Sequence, residues 1–493
     1  MTFDEWARQY DSHKVLAAEL EVARLGDGAT TTLFWATDGG QWDDQHNFIP
    51  CLQGLSRLTH RAQQLVSGRS LVSFGELKAA IDRASYVDSN RSISWDALLA
   101  EYALAGRRVI LRVGGPGLDW NDWARFDLYM GQPAHDDLAV SVPVYGQAEK
   151  AAQKMVPPNT YDDSYPEAVR GRAKPLCWGR CKNIAPLLIG ENPWVYQFND
   201  GSVQAVDAVY IDGVQQSSGY TVDLSAGTVS FASDPQGTVT LDVRGRLASG
   251  SYIELPGDIA RDILVSFGGV AEADLDTAAF SQFNADVPFP VGLYLDRQVE
   301  VRRALDALLV GLLSVWGTTR EGKWTLWRFK PPSGEPVLEL SDIELLNAKV
   351  RPEERIFWRA VVAGDRNWSP QSSPDAAVSP QRRQWLRDQF RQREATDSSV
   401  AALFPLAGEA GPHESCLADL QDCATVAGWW LELFGQRRRI LEVSAKLQPL
   451  ALRLGDVVRV RRERFGMQDG WLGRVVGIEE NLVANEIKLK LWG

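Results

Sequence analysis

The chain has 493 residues, 45% of them hydrophobic and 24% charged, which is ordinary globular usage and enough for about three domains. A net charge of −12 speaks against broad nucleic-acid binding and against an anionic membrane surface as partner. Eighteen Trp against five His give large packing surfaces and little material for acid–base or metal chemistry near neutral pH.

The opening MTFDEWARQY has two acids and no apolar core, so no signal peptide is read there. Val15 to Leu25 is mostly apolar, meets the turn GDG, and is followed by TTTLFWAT, rich in β-branched and aromatic residues. RRVILRVGG and ARFDLYMGQ flank a PGLDWND turn, giving a meander or barrel over residues 1–150. VPPNTYDDSYPE marks a Pro-rich boundary. AVDAVYIDG, YTVDLSAG, TVSFASD and TVTLDVRG follow at short spacing, so residues 151–255 are expected to form a small β-domain.

The character changes at Pro256. PGDIARDILVSFGG puts Ile259, Ile263, Leu264 and Phe267 on one helical face, stopped by Gly268. A second helix is expected through VEVRRALDALLVGLLSVWG, with Val301, Ala304, Leu305, Leu308, Leu309, Leu312 and Leu313 as its apolar set. KWTLWRF then reads as a strand, completing residues 256–350. In residues 351–493, Pro370 to Ser398 reads as a long polar loop. A helix follows from about Cys416 to Gln436, with a seam of Leu417, Leu420, Ala424, Ala427, Leu431 and Phe434. LEVSAKL, DVVRVRR, GWLGRVVGIEE and NEIKLKLWG close the chain as strands. In the last of these, Ile487, Leu489 and Leu491 alternate with Lys488 and Lys490. The fold class expected is α+β, mostly β-barrel or sandwich domains with a few amphipathic helices. The longest apolar stretch, Leu308 to Val315, is broken by Gly311 and Ser314 and falls short of a membrane span.

No constellation points to catalysis. VGGPG, Val113 to Gly117, lacks the Lys-Ser/Thr ending of a phosphate loop and reads as a turn between strands. Cys177 and Cys181 in CWGRC, with Cys416 and Cys423, offer four thiols. Their spacing is not that of a zinc site, so buried or free thiols are expected. Five cysteines are an odd number and argue against a disulfide framework. Asp43 with Asp44, and Asp136 with Asp137, would serve a glycosidase only if they converged in a cleft. A solvated acidic face is the plainer expectation. His13, His46, His60, His135 and His413 stand in no motif that pairs them with a nucleophile. Arg459, Arg461, Arg462, Arg464 and Arg474 are expected to form ion pairs on an outward strand face. No catalytic residue, metal ligand or cofactor is assigned.

The closing stretch LRLGDVVRVRRERFGMQDGWLGRVVGIEENLVANEIKLKLWG resembles the end of tail hub proteins of long-tailed bacteriophages and prophages. There a G-D-x-V strand, an R-F-G turn, a G-x-x-x-R-V-V-G strand and a final L-x-L-W recur. SLVSFGELKAAID with RRVILRVGG resembles that family's N-terminal domain. KPLCWGRCKNIAPLLI with VYQFNDGSVQAVDAVYIDG resembles its middle β-domain. DIARDILVSFGGVAEADLDTAAFSQFNADVPFPVGLYL with GKWTLWRF resembles its helix-bearing domain, and RAVVAGDRNWSP the strand after it. The order is kept over most of the chain. Cys181, the second Cys of CWGRC, departs from the pattern.

The resemblance implies a structural role and no reaction. It implies a homotrimer at the tail tip, in which two barrel-like domains per subunit mimic six tube subunits. The implied partners are other copies of the chain, the distal tail or tube protein, the tape-measure protein and tip or receptor-binding proteins. No membrane insertion or specific nucleic-acid binding is implied, and assembly would occur in the host cytoplasm. A tail-tip glycan or cell-wall hydrolase and a receptor-binding module are the alternatives.

Overall fold

Strand Val15–Arg24 pairs antiparallel with Thr30–Ala36 on one side and with Arg108–Gly114 on the other. Its alternation puts Leu16, Ala18, Leu20 and Val22 into the core. Asp27 closes the intervening turn by accepting the Ala29 N–H at 3.0 Å, and Gly28 takes the left-handed backbone (φ 72°) that the turn needs. In this computed structural model, residues 2–9, 13–55, 58–62, 68–73, 75–81, 86–88, 93–146, 151–481 and 486–493 are described. Phe74 and Asp82 of SLVSFGELKAAID, and residues 482–485 between the last two strands, lie outside them.

The first sheet has ten strands. Its main path is Ile49–Pro50, Thr30–Ala36, Val15–Arg24, Arg108–Gly114, Ala124–Met130, Ala139–Gly146, Glu76–Ala80 and Leu52–Leu55. The PGLDWND turn is capped by Asp119, which accepts the Asn121 N–H at 2.9 Å. Gly114 is required there, since a Cβ would sit 2.2 Å from the Trp123 ring. A helix not expected from the sequence, Trp95–Glu101, is capped by Ser94 and buries Trp95 and Leu98.

A second ten-stranded sheet is centred on Met467–Asn481, which pairs with Glu486–Trp492, Val457–Arg462 and Leu58–Ala62. Leu58–Ala62 leads through Gly68–Ser73 to Ser314–Thr318 and Trp324–Arg328. Ile487, Leu489 and Leu491 are buried, at most 1% exposed, and Lys488 and Lys490 are exposed. One hydrophobic core joins both sheets, drawing on residues 16–144 and 338–491. This core ties the first 144 residues to the last portion of the chain and has members on both sides of residue 350.

Residues 176–248 form two further sheets. Val203–Ile211, Val239–Ala248, Leu176–Ile184 and Gly292–Leu295 lie in one; Leu187–Glu191, Trp194–Gln197, Thr228–Phe231 and Tyr220–Asp223 make the other. A last sheet places Phe357–Gly364 between Arg391–Thr396 and Gly408–Glu414, with helix Leu420–Phe434 sharing a core with it. The architecture is α+β with several sheets. Among the described residues, no helix is long and apolar enough to cross a membrane.

Four expectations need correction. The helix beginning at Val301 ends at Leu309. Gly311 (φ 79°) and Leu313 (φ 53°) turn the chain, and Ser314–Thr318 is a strand buried at every position. A short apolar run fits a buried strand as well as a helix, which is why periodicity carried the helix too far. Pro370 to Ser398 is not a plain loop. Ser379 caps helix Pro380–Arg387, and Arg391–Thr396 is a strand whose residues are exposed or half-buried because it ends its sheet. Helix Leu420–Phe434 buries Cys423, Val426, Ala427, Trp430, Leu433 and Phe434, so Leu431 is only half-buried. The first predicted helix is also shorter than read: Pro256–Asp262 is α-helical and Ile263–Phe267 is a wider π turn.

Candidate functional site

The five cysteines are buried and free. Burial pushes the thiols of Cys51 and Cys423 up to about 12 and of Cys416 to about 11. It raises Cys181 as well, with the adjoining Cys177 and Cys416 adding to the effect. Thiolate is the form that binds metal or attacks carbon, and these sites disfavour it. Among the described residues, no group of three or more His, Cys, Asp or Glu is placed to hold a metal ion.

The paired carboxylates are turn-formers. Burial works against ionising Asp43, yet hydrogen bonds from the His46 ring (2.6 Å) and from the His46 and Gln45 backbone hold it below its ordinary value. Asp136 accepts the Leu138 and Ala139 N–H groups, which lower it too. A glycosidase acid needs the opposite shift. His13 meets Asp38, and the His413 ring stacks on Trp430 with centroids 3.7 Å apart. His135 is exposed on its strand.

The arginine run is mostly committed. Arg459 and Arg461 (3.6 Å) pair with Glu339, and Arg462 donates to Asp342 at 2.5 Å. Arg464 is exposed. Arg474 is half-buried instead and donates to the carbonyls of Lys330 (2.8 Å) and Pro331 (3.2 Å). Burial pushes it down to about 10.

The distinctive polar feature is a partly buried ionic seam, with Glu480 at its buried end and Arg453 at its exposed end, where the first and last portions of the chain meet. Arg320 donates to Leu452 O at 2.8 Å and lies 5.2 Å from the Phe126 ring, while its own carbonyl accepts the Asp127 N–H at 3.2 Å. Glu321 pairs with Arg453 at 3.1 Å, and the Arg453 N–H donates to Asp456 at 2.7 Å. His60, on the strand paired with Met467–Asn481, is pushed down to about 4 by burial and by the Arg320 charge. Glu480 is 6% exposed, and one of its buried oxygens has no hydrogen-bond partner. Burial pushes it up to about 7. A carboxyl near neutrality could donate a proton, but burial keeps a substrate from this one. The seam braces segments far apart in sequence. Of its members, sequence reading noted only His60. Glu480 could have been found because it stands two residues after Ile478, in phase with the apolar face.

No family model matches the chain, and no curated protein matches it. Solved structures do align with it. A chain of the virion of a native gene transfer agent particle aligns with TM-score 0.42 at 14% identity, over 66% of this chain and 84% of that one. The tail protein from Neisseria meningitidis aligns with TM-score 0.38 at 9% identity, over 97% and 96%. The 43 kDa tail protein of prophage MuSo2 from Shewanella oneidensis aligns with TM-score 0.36 at 10% identity, over 97% and 98%.

Proposed function

We propose that the chain is a structural component of a phage-type tail: a hub at the tail tip that assembles as a homotrimer and has no enzymatic activity. The observation that carries this reading is the pair of ten-stranded sheets on one core. Two such sheets per subunit supply the six tube-like units a trimer needs to continue a sixfold tube, as the tail-hub motifs of the sequence imply. The many strand edges of such a chain are covered when copies close into a ring. Its neighbours would be the distal tail or tube protein, the tape-measure protein and tip or receptor-binding proteins, and its place the virion. The lowered carboxyls of Asp43 and Asp136 weigh against the hydrolase alternative.

Deleting the gene in its host and imaging the particles tests the reading. The expected result is tails that stop short or lack a tip, rescued by the wild-type gene and equally by Asp43→Ala or Asp136→Ala. Complete tails without the protein, or peptidoglycan cleavage by the purified chain, would refute it.

A further inference from the structure

Strand Gly292–Leu295 ends its sheet: it pairs with Leu176–Ile184 on one side only. Its outer side is covered at the start, where Val291 bridges Leu417 and the Gly292 N–H donates to Cys416 O at 2.8 Å. Past that point Leu293, Tyr294 and Leu295 line a groove of about 1060 Å³. Four arginines, Arg172, Arg297, Arg303 and Arg366, line the same groove against one carboxylate, Asp296. Arg172 and Arg297 are exposed and make no ion pair among the described residues. Arg303 has Glu300 at 3.7 Å. Arg366 lies 3.8 Å from the Trp368 ring centroid, with its buried Nε lacking a hydrogen-bond partner. In a chain of net charge −12, a groove with this balance is a local positive field.

We propose that this groove takes an extended, carboxylate-bearing peptide segment of a neighbouring protein, which adds as a strand beside Gly292–Leu295 and pairs its acids with the arginines. A strand edge presents alternating N–H and C=O groups, and an extended peptide offers the matching set. A nucleic-acid backbone has no N–H donors to return to a strand edge. Arginine suits carboxylates because its planar fork can donate two parallel hydrogen bonds. The inference is independent of the hub reading, since it concerns the groove and not the ring.

The test uses the full chain and a fluorescein-labelled peptide of alternating Glu and Val, followed by anisotropy. Companion probes are the same peptide with Gln for Glu, the same peptide with Pro at alternate positions, and single-stranded oligothymidylate. The acidic peptide should bind about tenfold or more tighter than the Gln peptide, weaken with salt, and lose affinity when Pro removes its N–H groups. The double variant Arg172→Glu, Arg297→Glu should lose this binding with an unchanged melting temperature, as both side chains are exposed. The proposal falls if the double variant binds normally, if the Gln or Pro peptide binds equally well, or if no peptide binds. Oligothymidylate binding as tightly would overturn it in favour of a nucleic-acid groove. Self-association that the double variant abolishes would overturn it in favour of a second copy.

Discussion

Replacing Glu480 by Gln should stabilise the protein, and more so at higher pH. The carboxyl ordinarily titrates at 4.5 and here at about 7. Below pH 4.5 it is neutral in both states; between 4.5 and 7 the folded chain keeps a proton that the unfolded chain has released. Stability therefore falls as pH rises through that window. At 1.36 kcal/mol per pH unit, the raised carboxyl has cost the fold about 2 kcal/mol by pH 6, where it is still protonated, and about 3 kcal/mol by pH 8, where it is ionised. Gln has nearly the same shape and no charge to bury. His60 acts in the opposite sense. Its ring titrates at about 4 instead of 6.5, so stability is lost as pH falls from 6.5 toward 4. The two slopes oppose one another below pH 6.5, and Glu480→Gln leaves the His60 slope uncovered. Urea unfolding followed by Trp fluorescence at pH 6 and pH 8, both above the pI of 5.1, measures the gain. Glu479→Gln on the same strand is the control. Glu479 meets Lys488 at 3.6 Å, and a partly exposed pair of this kind contributes only about 0–1 kcal/mol. A gain that is absent, or equal at the two pH values, would refute the buried-carboxyl account of the seam.

Leu489→Asp should abolish folding, since the side chain is 1% exposed and would bury an unpaired charge; soluble, cooperatively unfolding protein would contradict this. Leu308→Ala should cost about 2–5 kcal/mol as a cavity, whereas Leu431→Ala, at a half-buried site, should cost clearly less by the same urea assay. All five thiols should resist a thiol reagent in the native protein and react in urea, because each is buried. Elemental analysis should find no stoichiometric zinc or iron, and a metal lost on changing Cys177 and Cys181 to Ser would overturn that expectation.

The β-rich organisation was legible because strand alternation and turn chemistry are local. Val15–Arg24 and the last strand, with Ile487, Leu489 and Leu491 inward, follow from period two alone. Helix limits were less legible. Leu312 and Leu313 continue the apolar spacing of the helix that ends at Leu309; Gly311 is the local sign of the break, and the reason for it, a Cβ that would lie 2.4 Å from Glu414 O, is distant in sequence. Arg391–Thr396 escaped notice because an edge strand keeps polar residues on both faces. The seam was hidden for a related reason. Arg320, Glu321 and Glu480 look like surface charges until the pairing of residues 58–61 with 477–480 brings the first and last portions of the chain together around them. The arginine groove likewise joins residues 172, 297, 303 and 366, which no motif links.

The most direct test of the central claim is the copy number and position of the chain in an averaged cryo-electron-microscopic map of the tailed particle. The account predicts three copies closed into a ring at the tail tip, with each pairwise interface burying about 2,000 Å² or more. Six copies, a single copy, or a location away from the tip would contradict it.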